Sequence, residues 1–369
     1  MAIATISGLV FKKQNMCISQ GQKYAHPFMQ SMTMYIGEAL SLLFYFIYIK
    51  VFRQKYEKGK EEAIRKGLKT KINFFLLLIP TACDFITSTL AFFALEFMPL
   101  SIYSMVRGGG IIITALFQVQ FLKKKLYRHH LLGLSFIIIG LVIVGLTVLI
   151  FQNNSSQDNN KLILGLILLI CSFFTFSTQI TLEEKLFGDY HLNAFQTVGI
   201  EGLWGIFICG LTVIGVSFIK CPSSIASDCP NGYLEDVPFF IKQVFIMEGK
   251  DQPWLLVTVI LGVFTILFFN VASLAVTKYV NSLSRNVGIV TYPFIIWITS
   301  IAIGWEKFLA GQLVGYIVVS FGTLIYNEII ILKFWGLNIF TKSEIAKKEG
   351  NEKLVGDIPS AFSENILLE

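Results

Sequence analysis

The chain has 369 residues, 54% apolar and 15% charged, with a net charge of +6 and six cysteines. Soluble domains run at about 45–50% apolar and about 25% charged, so an ordinary cytosolic enzyme, a disordered tail and a disulfide-stapled secreted module are all excluded. A mean hydropathy of +0.66 points to lipid as the main solvent.

A bilayer core of about 30 Å takes roughly 20 apolar helical residues, because lipid offers backbone amides no other partner. In chain order nine runs meet that length: 28–52, 73–97, 101–122, 131–151, 161–182, 193–219, 254–278, 285–304 and 307–331. A tenth, Ala2 to Phe11, has half of it. Its lysines, Lys12 and Lys13, follow the apolar stretch, whereas a signal peptide carries them in front. It reads as the end of a first span that is missing or cut, or else as a short unembedded N-terminus.

The loop 53–72 holds eight Lys or Arg against three Glu, and 123–130 holds Lys123, Lys124, Lys125 and Arg128 with no acid. Threading the spans puts both on one side, which the positive-inside rule makes cytosolic. On the other side, 152–160 has no basic residue and two overlapping N-x-S acceptor sites, Asn153 and Asn154, expected to face a lumen. The loop 220–253 shares that side, and its Cys221 and Cys229 are a disulfide candidate in an oxidising lumen, with free thiols the alternative. Within it, 233–247 is apolar but too short to span and reads as a helix lying on the lumenal surface. The tail from Lys333 is expected to be cytosolic and solvated, and its Ser363–Leu368 stretch only loosely resembles an acidic dileucine sorting signal.

An internal match gives the spans an order. Ala94–Ser104 aligns with Ala275–Arg285, so that Ser101 meets Ser282; one inserted residue later, Gly133 matches Gly315 and Gly140 matches Gly322. The span 73–97 leaves the cytosol while its partner 254–278 enters it, so the halves are inverted, with the first span restored. Inverted repeats are a recurrent transporter design, with the solute site at the repeat interface. The expected organisation is a first repeat over 1–151, a lumenal loop over 152–160, a second repeat over 161–331 and a tail over 332–369.

Four ionisable residues fall well inside spans: Glu38, Asp84, Arg107 and Glu201. Each costs roughly 2.5–3.5 kcal/mol on insertion scales, so together they cost on the order of 10 kcal/mol unless they face a polar interior. At about 1.5 Å per residue, Glu38 and Arg107 lie near enough in depth to pair, and Glu38 and Glu201 occupy equivalent helices of the two halves. That arrangement suits two gates or a proton-linked site; a structural ion pair is the plainer reading. Thr87, Ser88 and Thr89 follow Asp84, Ser101 and Ser104 precede Arg107, and Asn270, Tyr292 and Pro293 mark the second half. Arg107 leads into Gly108-Gly109-Gly110, a stretch expected to loosen the helix. An arginine in a cavity suits an anionic group, or neutralises Glu38. The 34 phenylalanines read as lipid-facing filler, and His26, His129, His130 and His191 fall in loops or membrane edges, where solvated roles are expected.

No phosphate-binding G-x-x-x-x-G-K-[ST], no H-E-x-x-H or paired C-x-x-C and no G-x-S-x-G occurs, so no ATP hydrolysis, metal site, cofactor or serine chemistry is expected, and an enzyme is not indicated.

The pattern resembles the drug/metabolite transporter superfamily, and within it subfamily F of solute carrier family 35, its sixth-member type. The resemblance rests on His26-Pro27-Phe28 with Gly37-Glu38, Cys83-Asp84-Phe85, Val106-Arg107-Gly108 and Leu182-Glu183-Glu184-Lys185. It continues through Gly199-Ile200-Glu201-Gly202-Leu203, Phe269-Asn270, Val276-Thr277-Lys278 and Gly304-Trp305-Glu306, in order across about 26–330. It implies an all-α fold of ten spans, two inverted five-helix repeats, cytosolic termini and a nucleotide-sugar-transporter-like carrier working by alternating access. It also implies an endomembrane location (lysosome, vacuole or Golgi) or a mitochondrial one. The chain departs from the pattern at its first span and at Ile289-Val290-Thr291-Tyr292-Pro293, where the family carries an Asp and an Arg.

These readings define the expectation: a multi-pass carrier of a small organic solute whose path is lined by Glu38, Asp84, Thr87, Ser104, Arg107, Glu201, Asn270 and Tyr292. Three acids among the four charges make a proton-coupled lysosomal or vacuolar carrier of amino acids, peptides or cationic drugs the alternative. A transporter-fold subunit that scaffolds a membrane complex is the rival. The expected partners are the solute, protons, the lipid bilayer and a second copy of the chain, with no nucleic acid.

Overall fold

A computed structural model of the chain describes residues 2–19, 22–24, 26–98, 100–123, 126–151, 159–220, 232–246, 254–279, 294–305 and 308–332, with Thr341 and Glu344. Among the described residues the fold is all-α apart from a paired two-residue ribbon, Ile18–Ser19 with Gln22–Lys23. Its helices are α1 (Ala2–Met16), α2 (Pro27–Val51), α3 (Arg53–Arg65), α4 (Leu78–Phe97), α5 (Leu100–Arg107), α6 (Gly110–Leu122) and α7 (Arg128–Phe151). They continue as α8 (Asn159–Asp189), α9 (Ala194–Val216), α10 (Val237–Phe245) and α11 (Trp254–Tyr279). The last two are α12, helical over 294–302, and α13 (Ala310–Tyr326).

Among the described residues six helical stretches are long and apolar enough to cross a membrane, and two shorter apolar ones, Met105–Phe121 and Ala310–Tyr326, lie beside them. The bundle's outer surface exposes Leu43, Phe46, Val142, Leu146, Phe207 and Ile214. A belt of that kind is a liability in water and a requirement in lipid. Inside, Thr81, Thr87 and Thr147 return their hydroxyl protons to the carbonyls of Leu77, Cys83 and Ile143, which keeps a polar group satisfied where no water reaches.

The helices pair as two inverted halves require. The helix pairs α7–α13 and α2–α9 each join one half to the other, α4–α8 is mirrored by α11–α1, and α2–α11 by α9–α4. The repeat glycines meet at the first of these seams. A methyl group built on Gly140 would lie 2.7 Å from the Gly315 carbonyl oxygen, and one on Gly133 2.7 Å from that of Gly322. Exchanging the repeat-equivalent positions turns one contact into the other, so both obey a single two-fold relation. Small residues bring the backbones that close in lipid.

At one end of this seam His129 Nε2 lies 3.3 Å and His130 Nε2 3.9 Å from Glu328 Oε1. Glu328 takes φ 58°, the left-handed position after a helix that glycine usually fills, and its contacts with both imidazoles explain why a longer side chain stands there. The ligating atoms of the three residues lie within 4.8 Å of one another. However, the Tyr127 N–H donates to His130 Nδ1 at 3.2 Å, so the proton of a neutral His130 sits on Nε2 and points to Glu328. The trio is thus a staple between α7 and the end of α13, hydrogen-bonded through His129 and in longer contact through His130.

Three expectations need correction. First, the N-terminal segment is not a free, unembedded stretch: α1 runs 15 residues, short of a full span, and packs against α11. The apolar run stops at Phe11 but the helix does not, because its polar end finds partners. Lys12 Nζ donates to the Leu95 and Met98 carbonyls at 3.0 and 2.8 Å, Gln14 Nε2 donates to the Thr258 carbonyl at 2.9 Å, and Asn15 Oδ1 accepts from Gln30 at 2.6 Å. Second, His26, His129 and His130 are buried. His26 pairs with Glu235 through Nδ1 and lies 3.2 Å from Gln243 through Nε2, which docks the short α10 onto the start of α2. Third, several phenylalanines face inward, as described below. Asn153, Asn154, Cys221, Cys229, Ser282, Tyr292, Pro293 and the tail motif lie outside the described residues.

Candidate functional site

The 101–122 run breaks in two, as its glycines lead one to expect. Gly108 and Gly109 donate to the Met105 and Val106 carbonyls at 3.2 and 2.8 Å, a tight turn between α5 and α6, and a methyl on Gly109 would lie 2.5 Å from Leu141 Cδ1. The break leaves Arg107 at the end of α5, beside a cavity of about 140 Å³. Discontinuous helices at a midplane site are a recurrent transporter feature.

All four charges singled out from the sequence line this one cavity. Glu38, on α2, is 4% exposed and accepts from Asn270 Nδ2 on α11. Asp84, on α4, accepts from the Tyr35 hydroxyl at 3.1 Å, which also lies 3.2 Å from Ser88 Oγ. Arg107 donates to the Tyr103 hydroxyl at 2.8 Å, and its guanidinium carbon sits 5.8 and 5.9 Å from the Tyr103 and Phe176 rings. Glu201, on α9, is 8% exposed. A methyl built on the adjacent Gly202 would lie 2.3 Å from the Ala39 amide and 2.7 Å from the Glu38 carbonyl carbon, so the two glutamates stand at one level of facing helices.

Thr87 also lines the cavity and lies 2.7 Å from Thr175 Oγ1; Ser88 and Asn270 line it too. Ser101 and Ser104 lie on α5, and Thr89 reaches Ser31 at 3.5 Å instead.

Sequence reasoning missed a fifth charge. Glu183 is 2% exposed, lines the cavity and accepts from Gln179 Nε2 at 2.8 Å. It follows a run that ends at 182, so it counts as a span-edge charge by position. The helix continues to Asp189, and the Gln179–Glu183 spacing of one turn was the available signal. Tyr35, Tyr103, Phe92, Phe176 and Phe269 were missed for want of any polar mark; aromatic rings beside charges offer a cation a favourable face. On α9 and α11, Ala194, Val198, Val271 and Leu274 pack as one apolar layer on the side of the basic loops.

A bundle of this construction, with charges held between inverted halves, is that of a polytopic membrane transporter. A profile of nucleotide-sugar transporters matches residues 3–188, and the chain belongs to that family. It is 30% identical to mouse solute carrier family 35 member F6, over 94% of this chain and 89% of the relative. The human protein of the same name is 32% identical over 84% of this chain and 80% of its own. A crystal structure only 12% identical shares the fold, with a TM-score of 0.53 over 89% of this chain and 94% of that one.

Proposed function

We propose that the chain is a secondary-active carrier that moves an organic solute bearing a cationic group by alternating access, linked to protons, across an endomembrane of the lysosomal or vacuolar kind. The observation that carries this reading is the cavity's charge: Glu38, Asp84, Glu183 and Glu201 against the single guanidinium of Arg107. Carboxylates around the cavity attract an ammonium group, while the aromatic walls take its apolar frame. Carboxyls that face one cavity bind protons and cargo in competition, which is the elementary requirement for coupling. The apolar layer of Ala194, Val198, Val271 and Leu274 closes the end nearer the basic loops and would part when the carrier faces that side.

Arg107 supports a second reading, a nucleotide sugar held by its phosphates, in keeping with the family's name. Counterflow into proteoliposomes separates the two. The first predicts uptake of cationic amino acids, peptides or cationic drugs that rises with an opposing proton gradient; the second predicts uptake of nucleotide sugars only. Flux of neither, with stable co-purifying subunits, would favour the scaffold.

A further inference from the structure

The charge at the basic end of the bundle converges in a way that orientation alone does not require. Positive-inside asymmetry needs lysines in the loop 53–72, but it does not need them around a cavity. Lys55 and Lys58 of α3, Lys66 just after it, Lys278 of α11 and His191 of the α8–α9 loop line a second cavity, of about 660 Å³. Among its lining residues Glu62 is the single acid, while Tyr48 and Tyr56 bring hydroxyls and Asn193 and Gln196 bring amides.

The walls are fixed in advance. The Lys69 N–H donates to the Asp189 carbonyl at 3.1 Å, and the His191 N–H donates to the Lys69 carbonyl at 2.9 Å, which ties the end of the α3 loop to the α8–α9 loop. A methyl on Gly59 would lie 3.9 Å from His191 Nε2, so α3 lies over that imidazole, and Ala63 on the same helix is buried. The Tyr45 and Tyr56 hydroxyls lie 3.4 Å apart and brace the α2–α3 elbow.

Three features select a ligand class. The cationic groups are lysines around an open volume, which suits several phosphate oxygens better than one bidentate carboxylate. The cavity lies at the ends of α2, α9 and α11, the level of headgroups on the face that the basic loops assign to the cytosol. On either flank of α3, Phe52 and Ile64 are exposed, apolar groups that suit the acyl boundary. We propose that this pocket binds the phosphate-bearing headgroup of an anionic membrane lipid. Such a headgroup would bridge α3 to α9 and α11, helices from both halves, and so favour the arrangement in which this end is closed.

The test measures binding of a fluorescent short-chain phosphatidylinositol bisphosphate to the purified full-length protein in detergent. The variant Lys55→Gln/Lys58→Gln/Lys66→Gln, at exposed positions on α3 and at its C-cap, is expected to bind roughly 100-fold more weakly, and Lys278→Gln about fivefold more weakly. The control Arg53→Gln/Arg65→Gln/Lys71→Gln removes three charges from the same loop but none from the pocket, and is expected to change binding less than about threefold. Equal losses in the pocket and control variants would overturn the proposal in favour of diffuse attraction. Equally tight binding of inorganic phosphate or a free inositol phosphate would overturn the lipid assignment. Since the α3 lysines are solvent-exposed, an unchanged thermal unfolding temperature in each variant shows that the fold is intact.

Discussion

The seams α7–α13 and α2–α9 both cross between the halves, yet they are built for different work. The first is tightly packed and symmetric, glycine against glycine at two levels, and among the described residues the His129–His130–Glu328 staple stands at one end of it. The second also uses glycines, Gly199, Gly202 and Gly205 against α2, but it carries Glu38 and Glu201 beside the cavity. A seam without charges holds two halves together at little electrostatic cost. A seam with charges is stable only in some protonation or ligand states, so on the proposed carrier reading it is the one that would respond to cargo. The proposed carrier would thus hold its halves together at one seam and sense cargo at the other.

Overfilling the first seam should have the largest effect. Gly140→Leu drives a side chain into Val319 and the Gly315 carbonyl, and is expected to cost about 3 kcal/mol or to abolish monodisperse protein. Thermal unfolding in detergent reads this, and an unchanged transition would mean that the seam is not close-packed. In the charged seam, Asn270→Ala removes the donor to Glu38 and is expected to cost about 1–3 kcal/mol, seen as about a 5- to 150-fold change in apparent cargo affinity with the fold retained. Arg107→Ala sharpens the contrast by sign. With cationic cargo its uptake persists or improves, whereas a nucleotide sugar would lose about tenfold or more in affinity.

At the end of the first seam, Glu328→Gln weakens the contact with the two imidazoles and is expected to cost about 1 kcal/mol in unfolding and nothing in flux. The smallest effect concerns the basic pocket. Burial, and then the charge of Lys278, hold the His191 imidazole below its usual value of 6.5. It is therefore neutral at pH 7 and gains its charge only as pH falls below about 6.5. With a lipid whose phosphate is a diester, and so keeps its charge over this range, that gain should tighten headgroup binding by about fivefold from pH 7 to pH 5. His191→Ala should flatten that dependence.

Much of this architecture was legible because lipid imposes simple rules. Span length, the basic loops and the paired glycines six residues apart each follow from local sequence, and so does the break before α6, where three glycines stand in a row. Glu38, Asp84, Arg107 and Glu201 stood out because a charge in an apolar run is costly wherever it points. What the sequence hid were features that depend on a distant partner. The polar end of α1 continues as helix only because Leu95, Met98, Thr258 and Gln30 meet it. His26 is buried only because Glu235 and Gln243 arrive from a loop some two hundred residues away. Glu183 sat one residue beyond an apolar run, and its place in the cavity depends on the helix continuing to Asp189. The convergence of Lys278 with the α3 lysines required the fold itself.

The central claim is that the charged seam serves transport rather than folding. Counterflow of a cationic solute into proteoliposomes, measured for the unaltered chain, Glu38→Gln and Glu201→Gln at matched protein content, tests it most directly. The account predicts uptake by the unaltered chain, loss of uptake or of its proton dependence in both variants, and unfolding temperatures that stay in place. Wild-type uptake and wild-type proton dependence in both variants would contradict it.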